Sequence, residues 1–262
     1  SDFAVIFHLL ALNNIQQYID TEEIFISKSY GNFVIRGYKN SCHVLVEFLT
    51  TGYTTYSSLS NIKRGEVKDK LLPNIYGVGY VGSKYKTRIN NKATPQYLLW
   101  KRMLERCYCT VKLAKNPTYV GCSVSDNFKS YEYFYEWCNA QVGFGNEGWQ
   151  LDKDLLVKSN KIYSEDTCCF LPEEVNKALT RSDKTRGSSL IGVTKRGGTY
   201  YASISIRGKT KPLGSFKSET LAFEAYCKNK EEYLSVLAIQ YENQIDKRAY
   251  QKLIHYKVDI HD

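Results

Sequence analysis

The spacing of apolar positions changes several times along the chain, and each change marks an element. Phe3, Ile6, Leu9, Leu10 and Ile15 recur at helical intervals, predicting one helix over 2–20 that Asp20-Thr21 ends. From Ile24 to Tyr56 the period becomes two. "NFVIRGY", "HVLVEFL" and "YTTYSSL" read as strands separated by "YKNS" and "TTG", which predicts a small antiparallel β-barrel or sheet. "LLPNIYGVGYVGSKYKT" carries three glycines and reads as an extended linker. Helical spacing returns over 94–107, where a Thr-Pro start precedes Tyr97, Leu98, Trp100 and Leu104, and again over 130–138.

The second half alternates the two periods. Residues 150–155 and 168–171 read as a pair of strands. Pro172 and two glutamates then open a helix that carries Asn176. "IGVTKRGGTYYASISIRGKTKPLGSF" breaks into three strands at 191–195, 200–206 and 211–216, turning at "RGG" and "RGK". Ser218 is placed as the N-cap of a following helix, and the tail ends in a second short helix. The expected fold is therefore a modular α+β chain. Residues 1–75 form an N-terminal helix and small β-barrel, 76–93 a linker, and 94–180 a helical lead-in with a two-strand-and-helix core. Residues 187–236 form a three-stranded antiparallel sheet with a helix, and 237–262 a helical tail.

Composition changes this picture little, and charge changes it more. At 262 residues the chain is long enough for two or three small domains, and 43% apolar with 24% charged residues is ordinary for a globular protein. No apolar run reaches membrane-spanning length. "FAVIFHLLAL" is short and lacks a basic leader, so neither a membrane partner nor a secretory signal is expected and a cytoplasmic location is. The formal net charge is +9. Between Arg181 and Lys217 nine basic residues face one acid, a net of +8, so nearly the whole excess sits in about one seventh of the chain. Charge concentrated in this way is the footprint of a phosphate-backbone binder, and double-stranded DNA is the expected partner. Eight cysteines without a small-scaffold spacing suit a reducing compartment, and with no CxxC pair a structural zinc is not expected.

The residues with candidate chemistry lie in "LDKDLLVKSNKIYSEDTCCFLPEEVN", residues 151–176. A hairpin followed by a helix can bring an acid and an amide together on a divalent ion beside a phosphate. "LDKD", "NK" with a later tyrosine, and "CFLPEEVN" resemble the HNH endonucleases, in the form found in phage homing-endonuclease-like proteins. "WKRMLERCY" and "YVGCSV" are similar to the helical lead-in of the same proteins. The resemblance implies a bacterial host cell as the setting. It also implies that Asp152 and Asn176 are ligands of Mg²⁺ or another divalent cation, with Asn160 as the central asparagine that orders the hairpin or a water. Where that family has its general-base histidine, this chain has Lys153, and the histidines at 8, 43, 255 and 261 leave 44–254 without one. An ammonium is protonated at neutral pH and makes a poor base, so Lys153 is expected to hold phosphate or, if strongly depressed in pKa, to act as base.

The basic stretch has a resemblance of its own. "GV", the aromatic-x-Ala-x-Ile strand at Tyr200–Ile204, "LG" before Phe216 and "A..AY" at Ala222–Tyr226 are similar to the ethylene-response-factor (APETALA-two) domain. That likeness implies groove-facing positions at Arg196, Tyr201, Ser203, Ser205, Lys209 and Lys211, with Arg207 near a turn. Two functional readings follow. One is a metal-dependent nicking or cleaving endonuclease with an atypical site. The other is a catalytically inactive relative that binds DNA as a transcriptional repressor. The N-terminal region is a candidate accessory DNA-binding module, and its first helix a candidate homodimer interface.

Overall fold

The computed structural model describes residues 15–180 and 189–260. They form two compact units, one of 15–94 with 129–132, the other of 95–128 with 133–180 and 189–260. Each is a mixture of helices and mostly antiparallel strands. No helix among the described residues is long and apolar enough to cross a membrane.

In the first unit, residues 15–20 (α1) are helical; the rest of the expected first helix, 1–14, lies outside the described residues. Strands β1 (Phe25–Ser27), β2 (Gly31–Asn40), β3 (His43–Phe48) and β4 (Thr54–Ser57) pair in sequence order, all antiparallel. Alternation fixes the register. Phe33 opposes Phe48 and Ile35 opposes Val46, and these side chains with Val44 face a core completed by Ile15, Ile62 and Val67. The sheet does not close: β1 and β4 are both edges, so the expected barrel is an open four-stranded meander. The β2–β3 turn is the two residues Ser41-Cys42 and the β3–β4 connection is residues 49–53, both simple hairpin links, and nothing in the sequence supplies the shear that closure needs. The short helix α2 (Leu59–Lys63) is capped by Ser58 Oγ. Beyond it, the expected linker holds the two-residue strands β5 (Arg88–Ile89) and β6 (Lys92–Ala93) and a glycine loop pinned by Glu132 Oε1, which accepts from Ser83 N and Lys84 N.

In the second unit, α3 (Pro95–Tyr108) buries Trp100 and Leu104 as expected, together with Met103 and Cys107, while Leu98 is exposed. Helices α4 (Thr110–Lys115) and α5 (Asp126–Lys129) follow, with strand β7 (Ser123–Val124) between them. Helix α6 (Tyr131–Ala140) carries Phe134, Trp137 and Cys138 inward. Phe128 meets Phe134 edge-on at 5.0 Å and Trp137 at 4.8 Å, and Trp100 Nε1 donates to Phe128 O at 2.8 Å.

This aromatic cluster leads to the hairpin. Strand β8 (Trp149–Asp152) pairs antiparallel with β10 (Cys169–Pro172), and the connection holds β9 (Ile162–Tyr163), parallel to β7. Every residue of β10 is buried. Phe170 packs on Trp137, while Cys169 and Leu171 face a second core made by α7 (Glu173–Leu179), α8 (Glu219–Gln240) and α9 (Lys247–Ile254). Burial on both faces explains why "CCFLP" is a continuous apolar run.

Strands β11 (Val193–Arg196), β12 (Thr199–Ile206) and β13 (Lys209–Phe216) form an antiparallel sheet in that order, with a bulge at Ala202/Ser203. Ala202 and Ile204 are buried on the α8 side. Ser218 Oγ accepts from Leu221 N and caps α8, as the sequence predicts. Gly192, at φ +75°, lies against the Tyr226 ring. A Cβ there would stand 2.0 Å from a ring carbon. Gly192→Ala combines left-handed strain of about 1–2 kcal/mol with overpacking of roughly 1–3 kcal/mol. Urea titration is expected to show a loss of about 2–5 kcal/mol, against about 1–2 kcal/mol for Gly197→Ala, which shares the left-handed strain (φ +53°) but has open space at its Cβ.

Candidate functional site

The hairpin and α7 bring together some of the expected site residues and separate others. The register sets Gln150 opposite Leu171 and Asp152 opposite Cys169, so Gln150 and Asp152 share the strand face that α7 covers. Asn176, one turn into α7, donates from Nδ2 to Gln150 Oε1 at 2.5 Å. Asp152 Oδ1 accepts from Asp154 N at 3.0 Å and Leu155 N at 2.8 Å, closing the turn after β8. Burial raises the Asp152 carboxyl above the usual aspartate range. The two backbone donors pull it down, and Asp154 adds to the rise.

Lys153 points the other way. It is 7% exposed, and its Nζ donates to Asn160 O at 2.9 Å and to the Asp154 carboxylate, 5.6 Å from the centre of the Tyr163 ring. Tyr163 in turn hydrogen-bonds Arg106, whose guanidinium lies over Tyr119. Asn160 faces this side too. Its Nδ2 donates to Lys153 O and Ile162 O, and its Oδ1 accepts from Ile162 N, so it ties the loop shut at both ends. Asp152 and Asn176 thus lie on the α7 face of the hairpin, and Lys153 and Asn160 at its opposite face and loop.

One carboxylate and one amide make a sparse donor set. Asp152 and Asn176 are the residues that would hold a divalent ion if the HNH resemblance applies; Asp152 Oδ1 is engaged by two backbone N–H groups and Asn176 Nδ2 by Gln150 Oε1. No group of three or more His, Cys, Asp or Glu side chains able to hold a metal ion occurs among the described residues.

The three-stranded sheet divides the other candidates. Opposed residues share a face, so Thr194, Arg196, Thr199, Tyr201, Ser203, Ser205, Thr210, Pro212 and Ser215 lie on the face away from the buried Ala202 and Ile204. Lys209 and Lys211 are paired with Ile206 and Ile204 and lie on the other face, exposed at its rim. Arg207 occupies the β12–β13 turn at φ +50°. Its Nε donates to Glu174 Oε1 at 2.7 Å.

Glu174 is a feature of this region that the sequence did not reveal. It also accepts from Tyr233 Oη at 3.1 Å and Tyr241 Oη at 3.4 Å, so one carboxylate joins α7, the sheet's turn and α8. The Arg207 guanidinium and the two hydroxyls hold it below the usual glutamate range. Between these elements lies an open cleft of about 720 Å³ lined by Glu173, Lys177, Ser203, Ser205, Arg207 and Tyr233, among others. Only the acidic first turn of α7 was visible beforehand, and it reads equally as a helix start. Arg248 was missed as well: its Nη1 donates to Glu165 O and Asp166 O, fixing α9 to the loop before β10.

No family model, curated protein or solved structure matches this chain.

Asp152 separates structure from chemistry in a direct test. A carboxyl whose folded pKa is raised contributes stability below the unfolded aspartate pKa, and that contribution is lost as pH rises through the folded value. Asp152→Asn removes the desolvated charge and keeps an acceptor for both backbone donors. Thermal melts at neutral pH are expected to show it at least as stable as the parent. Asp152→Ala strands the two N–H groups and is expected to lose about 1–2 kcal/mol.

Glu174 titrates with the opposite sign. A depressed carboxylate contributes above the unfolded glutamate pKa, and the contribution disappears as pH falls through the folded one. Denaturation between neutral and acid pH is expected to show Glu174→Gln less stable than the parent at pH 7, with the difference vanishing in acid.

Proposed function

We propose that this chain is a duplex-DNA-binding protein whose three-stranded sheet lies against the duplex. The observation that carries the reading is the charge of that sheet. Residues 189–217 contain six basic residues and no acid. Lys195, Arg196, Lys209, Lys211 and Lys217 are exposed, and Arg207 is the member held by a carboxylate. A sheet of this width fits the major groove, and cations at its rim reach the phosphates on either side. Arg181, Lys184 and Arg186, which contribute to the same charge in the sequence, lie outside the described residues.

The ethylene-response-factor resemblance supports this reading through the motifs quoted above. The HNH resemblance supports a hairpin and helix that touch the backbone of the same duplex. Lys153 favours binding over cutting. A general base must reach the water beside the scissile phosphate, and the Lys153 amine is buried against Tyr163 and bonded to Asn160 O and Asp154. On this reading the protein binds its site without hydrolysing it, as a repressor does.

A second reading, a metal-dependent nicking enzyme, is favoured by one observation: Asp152, Gln150 and Asn176 share the α7 face. Magnesium bound there would supply Lewis-acid stabilisation of a phosphate. This chain's residues would supply its positioning: Asp152 through the turn it closes, and Asn176 through α7.

Supercoiled plasmid incubated with the protein and Mg²⁺ or Mn²⁺ decides between the two. Retardation without nicks, unchanged by Asp152→Ala, is the expected result. Nicks that vanish in Asp152→Ala establish the second reading, and absence of retardation at any salt rejects both. In the same assay the triple variant Arg196→Ala, Lys209→Ala, Lys211→Ala is expected to lose affinity. Its slope of log affinity against log salt should fall by about 0.9 per phosphate contact removed.

A further inference from the structure

The face that the sheet presents has a composition that specifies what it can read, given the DNA-binding function proposed above. Away from α8 its register places Thr194, Thr199, Tyr201, Ser203, Ser205, Thr210 and Ser215, seven hydroxyl side chains, with Pro212 and one arginine, Arg196. Ser203 and Ser205 also line the cleft beside Glu173 and Arg207, so the other five are the hydroxyls given wholly to this face. Lysine is missing because Lys195, Lys209 and Lys211 fall on the other register. Asparagine and glutamine are missing altogether, and these are the residues that grip adenine through two hydrogen bonds. Guanine has a single candidate bidentate reader, Arg196, at the β11–β12 turn. Serine and threonine hydroxyls donate or accept and so discriminate little by hydrogen bonding. What remains is shape and apolar contact. Three threonine methyls, the Pro212 ring and the 43%-exposed Tyr201 ring stand on this face, and the group in the major groove that rewards such contact is the thymine 5-methyl.

We infer that the sheet reads thymine methyl groups, so that its target is an A·T-rich duplex with a G·C pair at the Arg196 end. Thr194 and Thr210 carry the test because both are exposed, and serine in their place removes a methyl while keeping the hydroxyl. Sites are first selected from a random duplex library with the full chain, and the winner is then synthesised with deoxyuridine for thymidine, which removes only the 5-methyl. The expected result is an A·T-rich site, a loss of roughly three- to fivefold in affinity per contacted methyl, and a smaller loss in the double variant Thr194→Ser, Thr210→Ser. Arg196→Ala is expected to relax the preference for the single G·C pair by about fivefold or more. A G·C-rich winner, or equal affinity for the thymine and uracil duplexes, overturns the inference while leaving DNA binding intact. Failure to retain any duplex overturns DNA binding itself, and the inference with it.

Discussion

Burial of β10 on both faces is the constraint on which the second unit depends. Phe170 enters the aromatic cluster of Trp137 and Phe128, and Cys169 and Leu171 enter the helical core on the other side. A strand committed in both directions cannot slip by one residue, because a slip would exchange the two sets of side chains. Its register therefore fixes β8, and β8 fixes which residues face α7. Gln150 and Asp152 lie on that face because Leu171 and Cys169 do. Lys153 lies on the other because it follows Asp152, and there it meets the Tyr163 ring, the Asn160 carbonyl and Asp154. Burying an ammonium is costly without such partners.

The same core anchors the basic sheet. Helix α8 contributes Leu234, Leu237 and Ala238 to the hairpin's core, and nearer its start Ala222 packs against the sheet's Val193 and Ala202. One helix thus belongs to both modules. Glu174 adds a polar tie at the Arg207 turn. Arginine in this position does two things: it adopts the left-handed backbone that the two-residue turn needs, and it satisfies a carboxylate on another element. Its charge is therefore partly spent within the protein, and the cations at the sheet's rim carry more of any attraction to phosphate.

Local signals made much of the architecture legible in the sequence. The strands of the basic sheet, three of the four N-terminal strands, the Ser218 cap, the hairpin and the helix carrying Asn176 follow from period, turn residues and caps, which act within a few neighbours, whereas the three-residue β1 is too short to show a period. Closure of the N-terminal sheet was not legible, because it depends on shear between strands and not on their alternation. The face assignments of Lys209 and Lys211 were misjudged for a related reason. The bulge at Ala202/Ser203 sets one extra residue of β13, Leu213, between the partners of consecutive β12 residues, and a shift of one residue reverses every side chain beyond it. Leu98 was placed inward beside Trp100 and Leu104, but those two are buried together with Met103 and Cys107, which centres the buried face of α3 away from Leu98. Glu174 and Arg248 could not be found at all, since their partners lie 33 and about 80 residues away in sequence.

These geometries bear on what the Lys153 position can do. A side chain at 153 leaves a backbone whose direction is set by Asp152 Oδ1, through its bonds to the next two amides, and by Asn160 Nδ2, which holds the carbonyl of 153 itself. Any residue placed there starts toward Tyr163 and not toward the Asp152–Asn176 face. The absence of a histidine is then not a single defect in an otherwise assembled hydrolytic site. On the DNA-binding reading proposed above, the hairpin's interior has been given over to stability. An ammonium there bridges a loop carbonyl, a carboxylate and an aromatic face, three contacts that a histidine ring has too few donors and too short a reach to make together. The hairpin and α7 then serve to hold the sheet's supporting helix, and the face of hydroxyls and methyls beyond it is left to meet the duplex.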